Sequence, residues 1–192
     1  MQRTVVFGGT VSFLAAFAGI IAALALTGYR SVEAQGDLPP RAGELTVAER
    51  AITLEAANTM ITAAVARARE MGLEVSVVVV DAHGLQRAMV RMDGALPSSV
   101  NVAHAKAYTA AIRQETTEDY GNNLTENPRL LHSIAAVQPH MFLTPGGLPI
   151  IVDGQVVGAI GAGGAARGAD LPIATAGLAA VQLDAGPGII RR

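Results

Sequence analysis

Leu148-Pro149-Ile150-Ile151-Val152-Asp153-Gly154-Gln155-Val156-Val157-Gly158-Ala159-Ile160 decides the fold class of this chain. Two apolar runs rich in β-branched residues flank Asp153-Gly154, a dipeptide suited to a type I′ turn because both central positions need positive φ. The stretch predicts a tight hairpin. Upstream, Glu74 to Asp81 is valine-rich, Asp81-Ala82-His83-Gly84 carries turn chemistry, and Leu85 to Met92 alternates, which predicts a second hairpin.

Helical patterns surround these hairpins. From Thr53 to Met71, Leu54, Ala57, Ile61, Ala64, Val65 and Ala68 recur at helical spacing. Thr53 is placed to cap that helix, and Gly72 to end it. Ser98 or Ser99 is expected to cap a second helix reaching about Gln114, whose sheet-facing side is read as Val102, Ala105, Thr109 and Ile112, with Lys106 and Ala110 projecting elsewhere. Gly121-Asn122-Asn123 reads as a break, Pro128 to Val137 as a further helical piece, Gly161 to Gly168 as a glycine-rich bend, and Ile173 to Leu183 as a closing helix. Hairpin, helices, hairpin, helix argues for an α+β domain: an antiparallel sheet of about five strands with packed helices. Gly161-Ala162-Gly163-Gly164-Ala165-Ala166 matches a dinucleotide-binding pattern, but only eight residues follow Asp184, too few for the parallel sheet that such a site needs.

The amino-terminal end is different in kind. Val5 to Leu26 is almost unbroken apolar sequence after Arg3, and Val32-Glu33-Ala34 supplies a small-residue cleavage pattern. Residues 1–34 are thus read as a signal peptide or a membrane anchor, an N-terminal hydrophobic helix in either case. Residues 35–44 read as a linker, 45–185 as the domain and 186–192 as a tail, with the domain outside the cytoplasm: periplasmic, secreted or held at the membrane. Contact with the membrane is expected only through the N-terminal segment.

The 192 residues carry a net charge of −2 with no basic block, which argues against nucleic-acid binding. There is no cysteine, so disulfides, thiolate metal sites and covalent haem attachment through Cys are excluded. Lys106 is the sole lysine beside thirteen arginines, which marks it either as a compact ammonium with a task or as a chance survivor. His83, His104, His132 and His140 form no compact metal-ligand spacing. His104, on the second helix, is the candidate iron ligand, with a structural histidine as the alternative. Met89, Met92 and Met141 are candidate thioether ligands or core fillers. Arg91, Asp93 and Lys106 form the best charged set, suited to holding carboxylates, while an Arg91–Asp93 pair fixing a turn is the plainer reading. His83 lies in a tight turn from which it could reach a ligand at the sheet edge.

Val79-Val80-Asp81-Ala82-His83-Gly84, Arg91-Met92-Asp93-Gly94-Ala95, Ala103-His104-Ala105-Lys106-Ala107-Tyr108-Thr109-Ala110-Ala111, Gly146-Gly147-Leu148-Pro149-Ile150 and Val157-Gly158-Ala159-Ile160-Gly161 occur in that order. Together they resemble the GlcG/HbpS-type haem-binding family over about Leu54 to Val181. The resemblance implies a PAS- or profilin-like sheet, assembly into homo-oligomers, and haem or a related tetrapyrrole as noncovalent ligand. It points to Arg91, Asp93, Lys106, Thr109, Gly147 and Gly161 as family positions, with a threonine at the place of Thr109 linked to haem coordination. Where the family carries serine-glycine and an acidic-glutamine-acidic run, this chain has Ala162-Gly163-Gly164 and only Asp170. That counts against catalysis there. The expected function is haem storage, sensing or delivery, with haem in a pocket between the second helix and the sheet. A haem-degrading or other small-molecule enzyme, or a nonenzymatic oligomeric module, are the alternatives.

Overall fold

The computed structural model describes residues 45–181 except 139, 166 and 167. The N-terminal hydrophobic segment and the tail lie outside the described residues, and the compact unit containing the sheet begins at Glu49. Its elements run α1 (Leu54–Glu70), β1 (Ser76–Asp81), β2 (Gln86–Arg91), α2 (Ser98–Arg113), α3 (Thr117–Thr125), α4 (Pro128–Val137), β3 (Gly147–Val152), β4 (Gln155–Gly163) and α5 (Asp170–Ala179). Four strands, not about five, form one antiparallel sheet in the order β2-β1-β4-β3. The α+β class and both hairpins stand as expected.

Local chemistry explains the joints. Asp153 and Gly154 both have positive φ, 51° and 75°, as a type I′ turn requires. At the β1–β2 turn one Asp81 carboxylate oxygen accepts the backbone N–H groups of His83 and Leu85, each at 3.0 Å, a side-chain mimic of a turn. Thr53 accepts the Ala56 N–H at the start of α1, and Gly72 follows its end with φ 65°.

Strand alternation sorts the core into two layers. Val77, Val79, Ile150, Ile160 and Ala162 face α1 and α5, where Met60, Ala64 and Ile173 complete a buried cluster. Val78, Val80 and Ala159 face α2, where the opposing residues are Ala103, Ala107, Ala110 and Ala111. The sheet-facing side of α2 is therefore rotated from the one expected, of which Thr109 alone is fully buried. Val102 and Ala105 are half-buried and Ile112 is exposed, while Ala103, Lys106, Ala107 and Ala110 are buried.

The reason lies in β4. On its α2-facing side stand Ala159, Gly161 and Gly163, and a Cβ at Gly161 would collide with the Ala103 carbonyl oxygen. At Gly163 it would lie 2.6 Å from the Ala103 nitrogen, and at Gly147 it would strike the Lys106 carbonyl. Small residues on both sides let backbone approach backbone, so bulkier α2 residues rotate outward. The Gly161-x-Gly163 pattern is thus strand, not a bend, and it serves helix packing. The predicted caps and breaks change accordingly. Ser98 begins α2 without a side-chain cap; Ser99 instead donates to the Leu96 carbonyl and accepts from buried Ser76 at 2.7 Å. Gly121-Asn122-Asn123 does not break the chain but lies inside α3, where a Cβ at 121 would meet the Leu143 carbonyl. The closing helix starts at Asp170, earlier than expected.

Gly161→Ala is expected to cost about 1–3 kcal/mol by forcing α2 off the sheet, read as a lower midpoint in denaturant unfolding, whereas exposed Gln155→Ala should stay within about 0.5 kcal/mol.

Candidate functional site

Because α2 packs over β1, β4 and β3, the outer strand β2 is left largely uncovered on that side. Ala88 and Val90 point to the α1 layer, so Met89 and Arg91 project onto the open side, while Arg87 is the extra residue at a bulge between the Val79–Ala88 and Val80–Gln86 pairs. Met89 is 41% exposed. Above this row runs the flank of α2. The Tyr108 ring lies against Gly84 in the β1–β2 turn, close enough that a Cβ at 84 would overlap it. His104 lies one turn earlier on the same helical row and is half-buried. Met89 and Arg91 on β2, with the α2 row that bears His104 and Tyr108, thus border an open shelf, and Arg87 stands at its bulged end.

The arginines are held, not loose. Arg87 Nε stands 3.6 Å from Asp81 Oδ2, and Arg91 Nη1 donates to the Ala95 carbonyl at 2.6 Å. Each retains further N–H donors for a ligand carboxylate. His104 takes part in none of the ion pairs among the described residues. Arg87 and Tyr108 were not among the expected site residues. The bulge at Arg87 breaks the β2 alternation, so no sequence signal gave its side, and only the placement of α2 shows which face stays open.

The other expected residues are placed elsewhere. Lys106 is 2% exposed and points away from the shelf, donating to Asp170 Oδ2 at 2.6 Å and to the Pro145 carbonyl at 2.8 Å, with the Phe142 ring centroid 5.7 Å away. Asp170 Oδ1 also accepts the Ala165 N–H. A compact ammonium fits this enclosure, where a guanidinium would bring five donors to satisfy. Thr109 is fully buried, donating to the Ala105 carbonyl and accepting from the Phe142 N–H. Both its hydrogen-bonding roles are occupied within the fold. Gly147 and Gly161 are sites of close helix approach, and the space between α2 and the sheet is filled by alanine and valine. The pocket expected there is closed. Asp93 is exposed and forms no pair with Arg91, whose contact is Ala95 instead. His132 and His140 are exposed, and no cluster of three or more metal-ligating side chains occurs among the described residues.

His83 is exposed, its Nε2 2.6 Å from Glu49 Oε2. That hydrogen bond, with the Glu49 charge, raises its pKa above the ordinary value.

Residues 52–179 match the model of the family described as haem degrading protein HbpS-like. The chain belongs to this family. Protein GlcG of Escherichia coli strain K12 is 32% identical over 110 residues, 57% of this chain and 79% of GlcG. Corrinoid adenosyltransferase PduO of Salmonella typhimurium is 29% identical over 145 residues, which span 76% of this chain but only 43% of that enzyme. A crystal structure of an HbpS double mutant from Streptomyces reticuli superposes with a TM-score of 0.66 at 36% identity, covering 76% of this chain and 96% of that one. The structure of a PduOC–haem complex gives 0.65 at 29% identity, covering 70% and 97%. The HbpS-like fold thus accounts for the domain carrying the shelf.

Two predictions follow from the placed side chains. In this HbpS-like chain Lys106→Met leaves Asp170 buried without its cation and should cost about 3–5 kcal/mol in urea unfolding, with Lys106→Met combined with Asp170→Asn recovering part of the loss. For His83, a folded-state pKa above the unfolded value means its stabilising contribution is complete below about 6.5 and is lost as pH rises through the raised folded value. Glu49→Gln should lower the His83 pKa in an NMR titration and flatten that slope.

Proposed function

We propose that this chain is an extracytoplasmic, noncovalent haem-binding protein that holds haem on the shelf between β2 and α2. The observation that carries the reading is the open face of β2, where exposed Met89 and Arg91 lie along the flank of α2 that bears His104 and Tyr108. A tetrapyrrole does not fit between α2 and the sheet, because glycine and alanine bring the two into backbone contact. It suits the shelf, which offers apolar surface for the ring, a nitrogen donor for iron and cations for carboxylates. His104 would take the iron, Arg87 and Arg91 the propionates, and Met89 and Tyr108 the ring surface. Bound haem would supply an iron centre for storage, sensing or delivery. Family membership and the haem complex of PduOC support the ligand class.

Binding without degradation is favoured because Asp170, the remaining acid after the glycine segment, is committed to Lys106. Export is supported by the apolar run Val5 to Leu26. None of the helices among the described residues is long and apolar enough to cross a membrane, so any anchor would come from outside them. The reading includes self-association, for which Leu130 and Leu131 of α4 are exposed.

The test is a hemin titration of the full chain. Wild type should give a saturable Soret shift. His104→Ala should change the spectrum and weaken binding by at least roughly tenfold, Arg87→Gln should weaken it by less, and Thr109→Val should destabilise the fold while leaving the spectrum alone. No Soret shift at micromolar hemin rejects the reading; a shift indifferent to His104 and Arg87 rejects the shelf. The intact mass of the chain isolated from extracytoplasmic and membrane fractions distinguishes cleavage after Ala34 from a retained anchor, and recovery only from cytosol rejects export.

A further inference from the structure

On the far side of β2 from the shelf, the C-terminal turn of α1 and the end of β2 enclose a cleft of about 570 Å³. Its floor is apolar: Val65, Leu73, Val90 and Met92 are half-buried and continuous with the α1-side core. Its rim is charged with both signs, Arg69 and Arg91 against Glu74 and Asp93. None of these four groups takes part in an ion pair among the described residues, although Arg67 and Glu70 on the same helix pair at 3.1 Å. The Glu74 carboxylate is set over Gly94, where any Cβ would collide with it. Gly94 has φ 85° and Gly72, also lining the cleft, φ 65°, so the backbone on both sides is shaped by turns that favour glycine.

Two guanidinium groups and two carboxylates therefore share one small cleft without neutralising each other. A ligand with one positive and one negative end satisfies both signs at once, while a simple anion or cation meets a like charge on the opposite rim. The floor asks for an apolar side chain, and the cleft volume falls within the range of about 300–1,000 Å³ usual for small-molecule sites.

We propose that this cleft binds a small zwitterion with an apolar body, a free apolar α-amino acid being the simplest case. Its carboxylate is taken by Arg69 and Arg91, its ammonium by Glu74 and Asp93, and its side chain rests on Val65, Leu73 and Met92. The site lies on the opposite face of β2 from the shelf and shares only Arg91 with it, so it is tested in the haem-free chain.

The probes are L-leucine, isoamylamine and isocaproate, which share one side chain and differ only in charged groups. They are titrated into the isotopically labelled full chain while the amides of Gly72, Leu73, Met92 and Gly94 are followed. Leucine should give saturable shifts at these amides, and each single-charge analogue should bind at least roughly tenfold more weakly. Arg69→Gln should weaken leucine and isocaproate but not isoamylamine; Asp93→Asn should weaken leucine and isoamylamine but not isocaproate. Both side chains are exposed, so unchanged unfolding midpoints serve as the fold control, and a fallen midpoint moves the same test to Arg69→Lys and Asp93→Glu, which should retain binding. Absence of saturable shifts up to about 10 mM leucine overturns the proposal, as does equal affinity for a single-charge analogue.

Discussion

Backbone contact between α2 and β4 is the constraint on which the rest of this structure depends. Gly161 and Gly163 on the strand meet Ala103 and Ala107 on the helix, and there is no room for a Cβ in the contact. Dispersion between closely apposed small groups replaces the bulkier interdigitation of an ordinary helix–sheet interface. The cost is specificity of position, since one added methyl group cannot be absorbed by a rotamer change when the obstacle is backbone. The consequence for function is direct. With the helix seated so low over β1, β4 and β3, backbone meets backbone beneath it, and the open surface lies at the margin where β2 extends past the helix.

A second restraint holds the other edge of the same helix. Lys106 joins α2 to the start of α5 through Asp170 and to the loop before β3 through Pro145. Desolvating two opposite charges is expensive, and a buried pair is not a stabilising device by default. Here the ammonium has two oxygen acceptors and an aromatic face, and the carboxylate has a backbone donor and a helix N-terminus beside it, so neither ion is left bare. Removing one partner is therefore far worse than replacing both. The pair works by position: it ties three segments distant in sequence into one arrangement around α2.

The two faces of β2 then differ in character. On the α2 side, spaced arginines and an imidazole border apolar surface, a distribution suited to a flat ligand with acidic substituents. On the α1 side, opposite charges rim a smaller cleft with an apolar floor. Arg91 stands at the end of the strand where the two meet, its guanidinium steadied by the Ala95 carbonyl. An edge strand with charged side chains also resists pairing with another sheet, so the same residues that offer ligand contacts guard the edge.

The sequence by itself determined the elements that depend on neighbours along the chain. Asp153-Gly154 dictates its turn through positive φ, Thr53 and Gly72 bracket α1, and the valine run of β1 announces a buried strand. It also carried the family landmarks, and with them the fold. What tertiary structure alone decided is which side of each element faces what. Lys106 reads as a candidate ligand group when only its charge is visible, yet it is interior because Asp170, 64 residues later, comes to meet it. Thr109, a haem-linked position by family resemblance, is occupied because the Phe142 amide arrives from a loop. The orientation of α2 escaped helical periodicity because alanines give almost no amphipathic contrast. Its packing was set by missing atoms on β4, and a missing Cβ acts only once the two backbones are brought together in space.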